Sequence, residues 1–180
     1  MTSRAIETNL TEKTALITGA SSGIGAAVAE ALAANGASIW VNYPDEAAKE
    51  DANAIVSRIA SAGGRARMVQ ADVSSESDVM TMFEALEPEG LDILVNNAGI
   101  AHSSPIESLE VEDFDRLIGV HLRGTFLCTR SALRIMYGQN SGRIINTASQ
   151  LAYIGAPGFS HYTAAKGAIL SFTRSLALEI

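Results

Sequence analysis

The sequence has a single cysteine and no long apolar run, and both features bear on the cellular compartment of the protein. Cys128 has no partner for an internal disulfide, and it falls in a helical pattern in which a free thiol behaves as a small buried hydrophobe. The N-terminus lacks a basic start followed by an apolar stretch, and no later segment approaches the roughly 20 apolar residues that span a bilayer. We therefore expect a cytoplasmic protein with neither a signal peptide nor a membrane anchor.

Basic residues are also few. The chain has 13 Lys and Arg against 20 Asp and Glu, for a formal net charge of −7, and the basic residues are scattered along the sequence. Net negative charge repels phosphate backbones, so we do not expect nucleic acid as a partner. His, Cys and carboxylate residues do not cluster at ligand spacing, and we expect no metal site.

Hydrophobic residues make up 47% of the 180 positions, which is typical of a packed domain and excludes extensive disorder. A chain of this length buries enough surface for one core. We expect a polar N-terminal segment over residues 1–12 and one domain over residues 13–180.

Short apolar runs alternate with helical patterns along the whole domain. Strands are predicted at 14–18, 38–43, 66–71, 91–96 and 143–147, and helices are predicted to begin near 24, 45, 75, 110 and 161, the fourth running to about 136. This alternation predicts an α/β fold with a Rossmann-like, doubly wound parallel sheet in three α/β/α layers. Ligands of such sheets bind at the carboxyl ends of the strands, so chemistry is expected in the loops after strands one, four and five.

A glycine-rich loop, Thr18-Gly-Ala-Ser-Ser-Gly-Ile-Gly25, joins the first strand to its helix. Gly19 permits a tight turn, Gly23 lets a pyrophosphate approach the backbone, and Gly25 allows close helix packing. The free amide groups of the first helical turn complete an anion site. Glycines between a strand and a helix can also serve the turn alone, so the loop needs support from other segments. The loop residues expected to contact a dinucleotide are Gly19, Ser21, Ser22, Gly23, Ile24 and Gly25.

That support comes from three further segments. The glycine loop is similar to the T-G-x-x-x-G-x-G signature of the short-chain dehydrogenase/reductase family, Asn96-Asn-Ala-Gly99 is similar to its N-N-A-G motif, and Ser149 with Tyr162-Thr-Ala-Ala-Lys166 resembles its S…Y-x-x-x-K motif. The segments occur in family order and the resemblance covers residues 13–180. It implies an NAD(P)-dependent oxidoreductase that moves a hydride between nicotinamide and a secondary alcohol or ketone, with a sugar and a 3-oxoacyl thioester as candidate substrates.

The resemblance also implies roles for individual residues. Ser149 would hydrogen-bond the substrate oxygen, Tyr162 would exchange a proton with it, and Lys166 would hold the nicotinamide ribose. The spacing supports this independently, because Tyr162 and Lys166 share one face of a predicted helix and Ser149 closes strand five. A free phenol ionises well above neutral pH, so a nearby ammonium would help Tyr162 to act.

Further cofactor contacts follow from the same resemblance. Asp72 and Val73 would flank the adenine, and Asn96, Ala98 and Gly99 would line the nicotinamide side. Each has a plainer alternative: Asp72 can cap a turn, Asn96 can tie strand four to its neighbour, and Gly99 can supply a turn.

One position departs from the family pattern, and one segment bears on the choice between NAD and NADP. His121 stands where the family commonly has an asparagine that holds a proton-relay water; imidazole can relay a proton, but a histidine on an inner helix stripe can equally be a satisfied core residue. After strand two, Asn42-Tyr-Pro-Asp45 offers no arginine for a 2′-phosphate, which favours NAD over NADP. Tyr43 could stack on adenine or only pack.

Family members continue beyond the helix that carries Tyr162, and the last strands of the usual sheet are missing here. We expect a fragment of a longer enzyme, the alternatives being a short member completed by a partner subunit or a degenerate relative. A homo-oligomer, dimer or tetramer, is expected from the apolar faces of the late helices, including Leu117, Leu122 and Phe126. The rival function is a non-catalytic dinucleotide-binding sensor or interaction module.

Overall fold

The computed structural model describes residues 8–180. Residues 1–7 of the predicted polar segment therefore lie outside the described residues. Five strands form one parallel sheet in the order β3-β2-β1-β4-β5. The strands are β1 (Thr14–Ile17), β2 (Ser38–Tyr43), β3 (Arg65–Gln70), β4 (Ile93–Asn96) and β5 (Arg143–Asn146). The order reverses at β1, which confirms the predicted doubly wound topology.

Seven α-helices connect and flank the strands within the described range. They are α1 (Gly23–Ala34), α2 (Lys49–Ser61), α3 (Glu76–Leu86), α4 (Val111–Ile118), α5 (Gly124–Gln139), α6 (Leu151–Ile154) and α7 (Ser160–Glu179). The sequence analysis missed α6, because one turn of helix has no apolar period. It also missed a 3₁₀ turn at Glu46–Ala48, which begins the helix predicted from residue 45.

Alternate residues of the central strands point into two separate cores, as a sheet covered on both faces requires. Leu16 and Leu94 pack with α3 and α5 on one face. Ile17 and Val95 pack with α1 and α2 on the other. The three layers were predicted from the sequence and are present.

The helix predicted over 110–136 is interrupted. Gly119–Arg123 forms a single π-helical turn between α4 and α5, and the Thr125 hydroxyl donates a hydrogen bond to the His121 carbonyl at 2.7 Å. Such turns inside α-helices are frequent at functional sites. Side-chain periodicity does not reveal one extra residue per turn, so the sequence predicted one continuous helix.

Strand β5 lies at the open edge of the sheet. Its Ile145 points away from α5 and is 52% exposed. At the carboxyl ends of the strands, the loops after β1, β2, β3, β4 and β5 converge on one cavity.

Candidate active site

A cavity of about 540 Å³ lies at the carboxyl ends of the strands, and we call it the edge cavity. Its volume is within the usual range of ligand sites. Twelve residues predicted from the sequence line it: Gly19, Ser21, Ser22, Gly23, Ile24, Asp72, Val73, Ala98, Gly99, His121, Tyr162 and Lys166. The structure therefore brings the glycine loop, the loops after β3 and β4, and helix α7 to one place.

The glycine loop presents the start of α1 to the cavity. Ser22 has an extended backbone before the helix, and its side chain makes no capping hydrogen bond to the described residues. Gly23 has a φ of 57°, and a Cβ added there would meet no described atom within 4 Å. The first-turn amides and the bare Gly23 backbone are thus open to an anion.

Gly25 has a different surrounding. A Cβ at Gly25 would lie 2.5 Å from the Gly19 carbonyl oxygen and 2.6 Å from Asn97 Nδ2. Gly25 is outside the cavity lining, which favours its packing role over the predicted contact with a dinucleotide.

Asn97 ties the glycine loop to the end of β4, and the sequence analysis missed it. Its Nδ2 donates to the carbonyl oxygens of Thr18 at 3.0 Å and Gly19 at 3.2 Å, while its backbone amide and that of Ala98 donate to Thr18 Oγ1 at 3.0 Å. The signal was present in the Asn96-Asn-Ala-Gly99 motif, but the motif does not say which asparagine reaches which strand.

Asn96, by contrast, points away from the cavity. It is 5% exposed, and its Nδ2 donates to Thr129 Oγ1 at 3.0 Å and to Asn146 Oδ1 at 2.9 Å. These contacts join β4 to β5 and α5, which favours the structural alternative for Asn96.

Lys166 and Tyr162 lie together at the β5 side of the cavity. Lys166 Nζ donates to the Thr147 carbonyl at 2.7 Å and lies 5.8 Å from the centre of the Tyr162 ring. Lys166 is only 4% exposed, and burial lowers the pKa of its ammonium to about 8. At neutral pH the ammonium is still mainly protonated and provides positive charge next to the phenol.

His121 packs against the other side of Tyr162. The two rings meet edge to face with centroids 5.4 Å apart. His121 Nε2 lies 2.7 Å from the Ile100 carbonyl oxygen, and the Ile100 amide is 3.1 Å from the same nitrogen. The shorter contact favours the tautomer in which Nε2 carries the proton and donates it to the carbonyl.

The remaining nitrogen of His121 is unusual. Nδ1 is buried and has no hydrogen-bond partner among the described residues. Burial, and to a smaller extent the nearby Lys166 charge, lower the pKa of His121 to about 4 even though the Ile100 hydrogen bond acts in the opposite direction. The imidazole is therefore neutral at physiological pH, with a free acceptor beside the site.

Two further predicted residues, Ser149 and Tyr43, lie outside the cavity lining, as Gly25 and Asn96 do. Ser149 is half-buried after β5, and its Oγ accepts a hydrogen bond from the Leu151 amide at 3.2 Å, which begins α6. Tyr43 is 5% exposed and packs in the core beside α1 and α2, which favours packing over stacking on a nucleotide. Alternation along β2 places the Tyr43 side chain on one face of the sheet. The sequence does not show that α2 packs on that face, and this packing is what buries the tyrosine.

The structure adds lining residues that were not predicted from the sequence. These are Pro44, Ala71, Asn97, Ile100, Ala101, Arg116, Val120 and Thr147, together with Asp45, which the sequence analysis weighed only for cofactor choice. Asp45 is engaged elsewhere, since its Oδ1 accepts from the Ala48 amide at 3.2 Å and caps the turn before α2.

Among residues 8–180 no group of three or more His, Cys, Asp or Glu is placed to hold a metal ion. In the same range no helix combines the length and hydropathy needed to cross a bilayer.

A dinucleotide fits this arrangement. The uncapped start of α1 and the open Gly23 backbone suit a pyrophosphate, and the cavity continues from there to Tyr162 and Lys166 on one side and to Asp72 and Val73 on the other. An elongated ligand with central phosphates and a ring at each end matches this shape. The fold and site define a dinucleotide-binding protein of the Rossmann class.

Comparisons with known proteins identify the family within that class. Residues 13–180 match the family model described as short chain dehydrogenase. A 3-oxoacyl-[acyl-carrier-protein] reductase of Synechocystis is 41% identical over 175 residues, which cover 96% of this chain and 70% of that protein.

Solved structures agree. A dehydrogenase/reductase from Sinorhizobium meliloti superposes with a TM-score of 0.87 at 43% identity, covering 95% of this chain and 68% of that one. A short chain dehydrogenase from Burkholderia cenocepacia, solved in complex with NADP, gives a TM-score of 0.87 at 38% identity, covering 96% and 70%.

The chain therefore belongs to the short-chain dehydrogenase family, as its motifs predicted, and is an NAD(P)-dependent oxidoreductase that acts on alcohol or carbonyl groups. It spans about 70% of the length of these relatives.

Proposed function

We propose that the chain belongs to an enzyme that reduces the ketone of a 3-oxoacyl thioester. The observation that carries the reaction is the grouping of Tyr162, Lys166 and the glycine loop around one cavity. The substrate class is supported by the printed names of several relatives, among them the Synechocystis protein and a Staphylococcus aureus protein at 37% identity, which are 3-oxoacyl-[acyl-carrier-protein] reductases. Residues 13–180 would act as one cofactor-binding and catalytic domain.

Tyr162 would supply the proton. When bound, the reduced dinucleotide contributes the hydride that reaches the carbonyl carbon, while the carbonyl oxygen takes a proton from the Tyr162 hydroxyl. The ammonium of Lys166 would stabilise the phenolate that remains, because it is buried and lies 5.8 Å from the centre of the Tyr162 ring. Lys166 would also hold the nicotinamide ribose.

Ser149 would orient the substrate oxygen. Its hydroxyl already accepts a hydrogen bond from Leu151, but a hydroxyl that accepts keeps its own proton to donate. The serine is therefore held at the end of β5 with a donor still available.

His121 would take part in returning a proton to Tyr162. Its Nε2 is occupied by Ile100, so the acceptor is Nδ1, which is buried and without a partner among the described residues. A buried acceptor of this kind is the place where a water or a transferred proton would be held.

The loop residues Gly19, Ser21, Ser22, Gly23 and Ile24 would bind the pyrophosphate, Ala98 and Gly99 the nicotinamide side, and Asp72 and Val73 the adenine. Between the two cofactors, the absence of an arginine after β2 favours NAD, whereas a relative at 38% identity was solved with NADP. Asp45 decides between them in our proposal: its carboxylate caps a turn at the cavity wall, where it would repel a 2′-phosphate.

This proposal about Asp45 gives a direct prediction. Asp45→Asn keeps an oxygen that can cap the turn but removes the negative charge, so NADPH should bind severalfold more tightly while NADH affinity stays nearly constant. Fluorescence titration of both reduced cofactors measures this. Equal changes for the two cofactors would remove Asp45 from the choice.

Two further expectations remain proposals. A cytoplasmic location is supported by the single cysteine, which is buried. A homo-oligomer is supported by Phe126, which is 43% exposed on α5, and by exposed Val111 and Phe114 on α4. Leu117 is fully buried within the chain itself and so does not contribute to such a surface.

The test has two stages. The chain is titrated with NADPH and NADH by cofactor fluorescence, and then assayed for cofactor oxidation with acetoacetyl-coenzyme A and with sugar ketones. Turnover with the thioester supports the proposal. Binding without turnover on any carbonyl compound favours the dinucleotide-binding sensor, and turnover on the sugars alone excludes the thioester assignment.

A further inference from the structure

Arg116 joins two parts of the edge cavity that come from different halves of the sheet. It lies in α4, which follows β4, yet its Nη1 donates to Asp72 Oδ2 at 2.7 Å and to Ser74 Oγ at 2.8 Å. Both acceptors are in the loop after β3. Arg116 and Asp72 line the same cavity, so the arginine closes the end of the cavity that lies over β3.

The strand order shows which part of a dinucleotide meets that end. Tyr162 and Lys166 lie on the β5 side, and the glycine loop follows the central strand β1. A dinucleotide with its reactive ring at Tyr162 and its pyrophosphate at the glycine loop must extend its other base over β2 and β3. The base then meets the wall that Val73 and Arg116 form.

The charge of Arg116 is already compensated. Burial by itself would raise the pKa of Asp72, but hydrogen bonds from Ser74 and the ion pair with Arg116 outweigh it, so the pKa is lowered and the carboxylate stays ionised. A guanidinium paired in this way is a weak anchor for phosphate. Its planar face can still stack on an aromatic base.

We propose that Arg116 binds the adenine half of the dinucleotide, with the guanidinium plane covering the base. Asp72 and Ser74 hold the guanidinium in place from one edge. The inference rests on the proposed function, because it requires the nicotinamide at Tyr162. Arg116 and Asp72 are 44 positions apart, so no local motif connects them.

Arg123 offers a matched control. Its Nη1 donates to the Ser74 carbonyl at 2.8 Å, so it holds the same loop as Arg116. It lies outside the cavity lining. Arg123→Gln therefore removes an arginine contact to the loop without removing any cavity wall.

The experiment measures binding of ADP-ribose by calorimetry and of NADPH by fluorescence, for the wild-type chain and for Arg116→Gln, Arg116→Lys and Arg123→Gln. We expect both Arg116 variants to weaken both ligands by about fivefold or more, since lysine keeps the ion pair but lacks the planar group. Arg123→Gln should stay within about twofold of wild type.

Three results would overturn the inference. The first is unchanged ADP-ribose affinity in Arg116→Gln, and the second is wild-type affinity in Arg116→Lys, which would reduce the role of Arg116 to its ion pair. The third is an equal loss in Arg123→Gln, which would mean that only the position of the loop matters. Failure of the wild-type chain to bind either ligand would instead reject the proposed function, and with it the role of Arg116.

Discussion

Tyr162 is the residue on which the proposed chemistry depends, because its hydroxyl would donate the proton and its ring lies 5.8 Å from the buried Lys166 ammonium. Tyr162→Phe removes one oxygen atom and leaves the ring packed against His121. We expect turnover to fall by about 10²-fold to 10⁴-fold, the usual range for loss of a general acid.

Cofactor affinity should change little in the same variant, since Lys166 and the glycine loop remain. Tyr137→Phe is the matched control, because Tyr137 is 63% exposed on α5, away from the cavity. Steady-state rates and NADPH titrations of both variants make the comparison. Retention of full activity by Tyr162→Phe would reject the mechanism.

His121 should make the stability of the protein depend on pH. Its pKa in the folded chain is about 4 because of burial, whereas a free histidine titrates near 6.5. Between these values the unfolded chain binds a proton that the folded chain does not. Stability is therefore lost as pH falls from about 6.5 to about 4, by up to about 3 kcal/mol, and the loss levels off below that.

His121→Asn should flatten this dependence, because asparagine does not titrate. Urea unfolding at several pH values between 4 and 7 gives the free energy of unfolding for both chains. If the two chains lose the same free energy over this window, the buried neutral state of His121 is not the cause.

At the scale of whole elements, the glycine that begins α1 can be tested for two separate roles, in backbone conformation and in cofactor binding. Gly23 and Gly63 both have positive φ, 57° and 84°, and a Cβ on either would meet no described atom within 4 Å. Alanine at each position should cost about 1–2 kcal/mol of stability from backbone strain alone.

The two alanine variants should differ in cofactor binding. Gly23 lines the edge cavity, whereas Gly63 follows α2 at the other end of the strands. We expect Gly23→Ala to weaken NADPH binding by about tenfold or more, and Gly63→Ala to leave it nearly unchanged. Thermal melts check the common stability loss. A similar binding loss in both variants would show that general destabilisation is responsible.

At the scale of the whole molecule, apolar side chains are exposed on the outer face of α4 and α5. Phe126 is 43% exposed there, with the Arg130 guanidinium 5.2 Å from its ring centre. A second copy that buries the exposed part of this ring would gain about 1 kcal/mol per subunit from it. We expect the chain to sediment as a dimer or tetramer, and Phe126→Glu to shift it towards the monomer.

Tyr153→Glu is the control for that experiment, because Tyr153 is an apolar side chain 70% exposed on α6 rather than on α4 or α5. Analytical ultracentrifugation over a range of concentrations compares the three chains. A wild-type chain that is monomeric throughout would contradict the proposed assembly.

The amino-acid sequence alone determined the elements and much of the site, because these depend on local periodicity and spacing. The alternation of apolar runs predicted the three-layer α/β fold, the glycines predicted the turn before α1, and the spacing of Tyr162 and Lys166 placed both on one helical face. Each of these signals lies within a few neighbouring residues, where backbone geometry relates sequence to structure directly.

Only the tertiary structure decided which distant groups meet. It placed Arg116 on Asp72, tied Asn97 to the glycine loop, buried Tyr43 in the core and engaged the Ser149 hydroxyl at the start of α6. It also left His121 with Nε2 bound to Ile100 and Nδ1 without a partner among residues 8–180. These contacts depend on how helices pack across the sheet, and that packing is set by the whole core rather than by any local pattern.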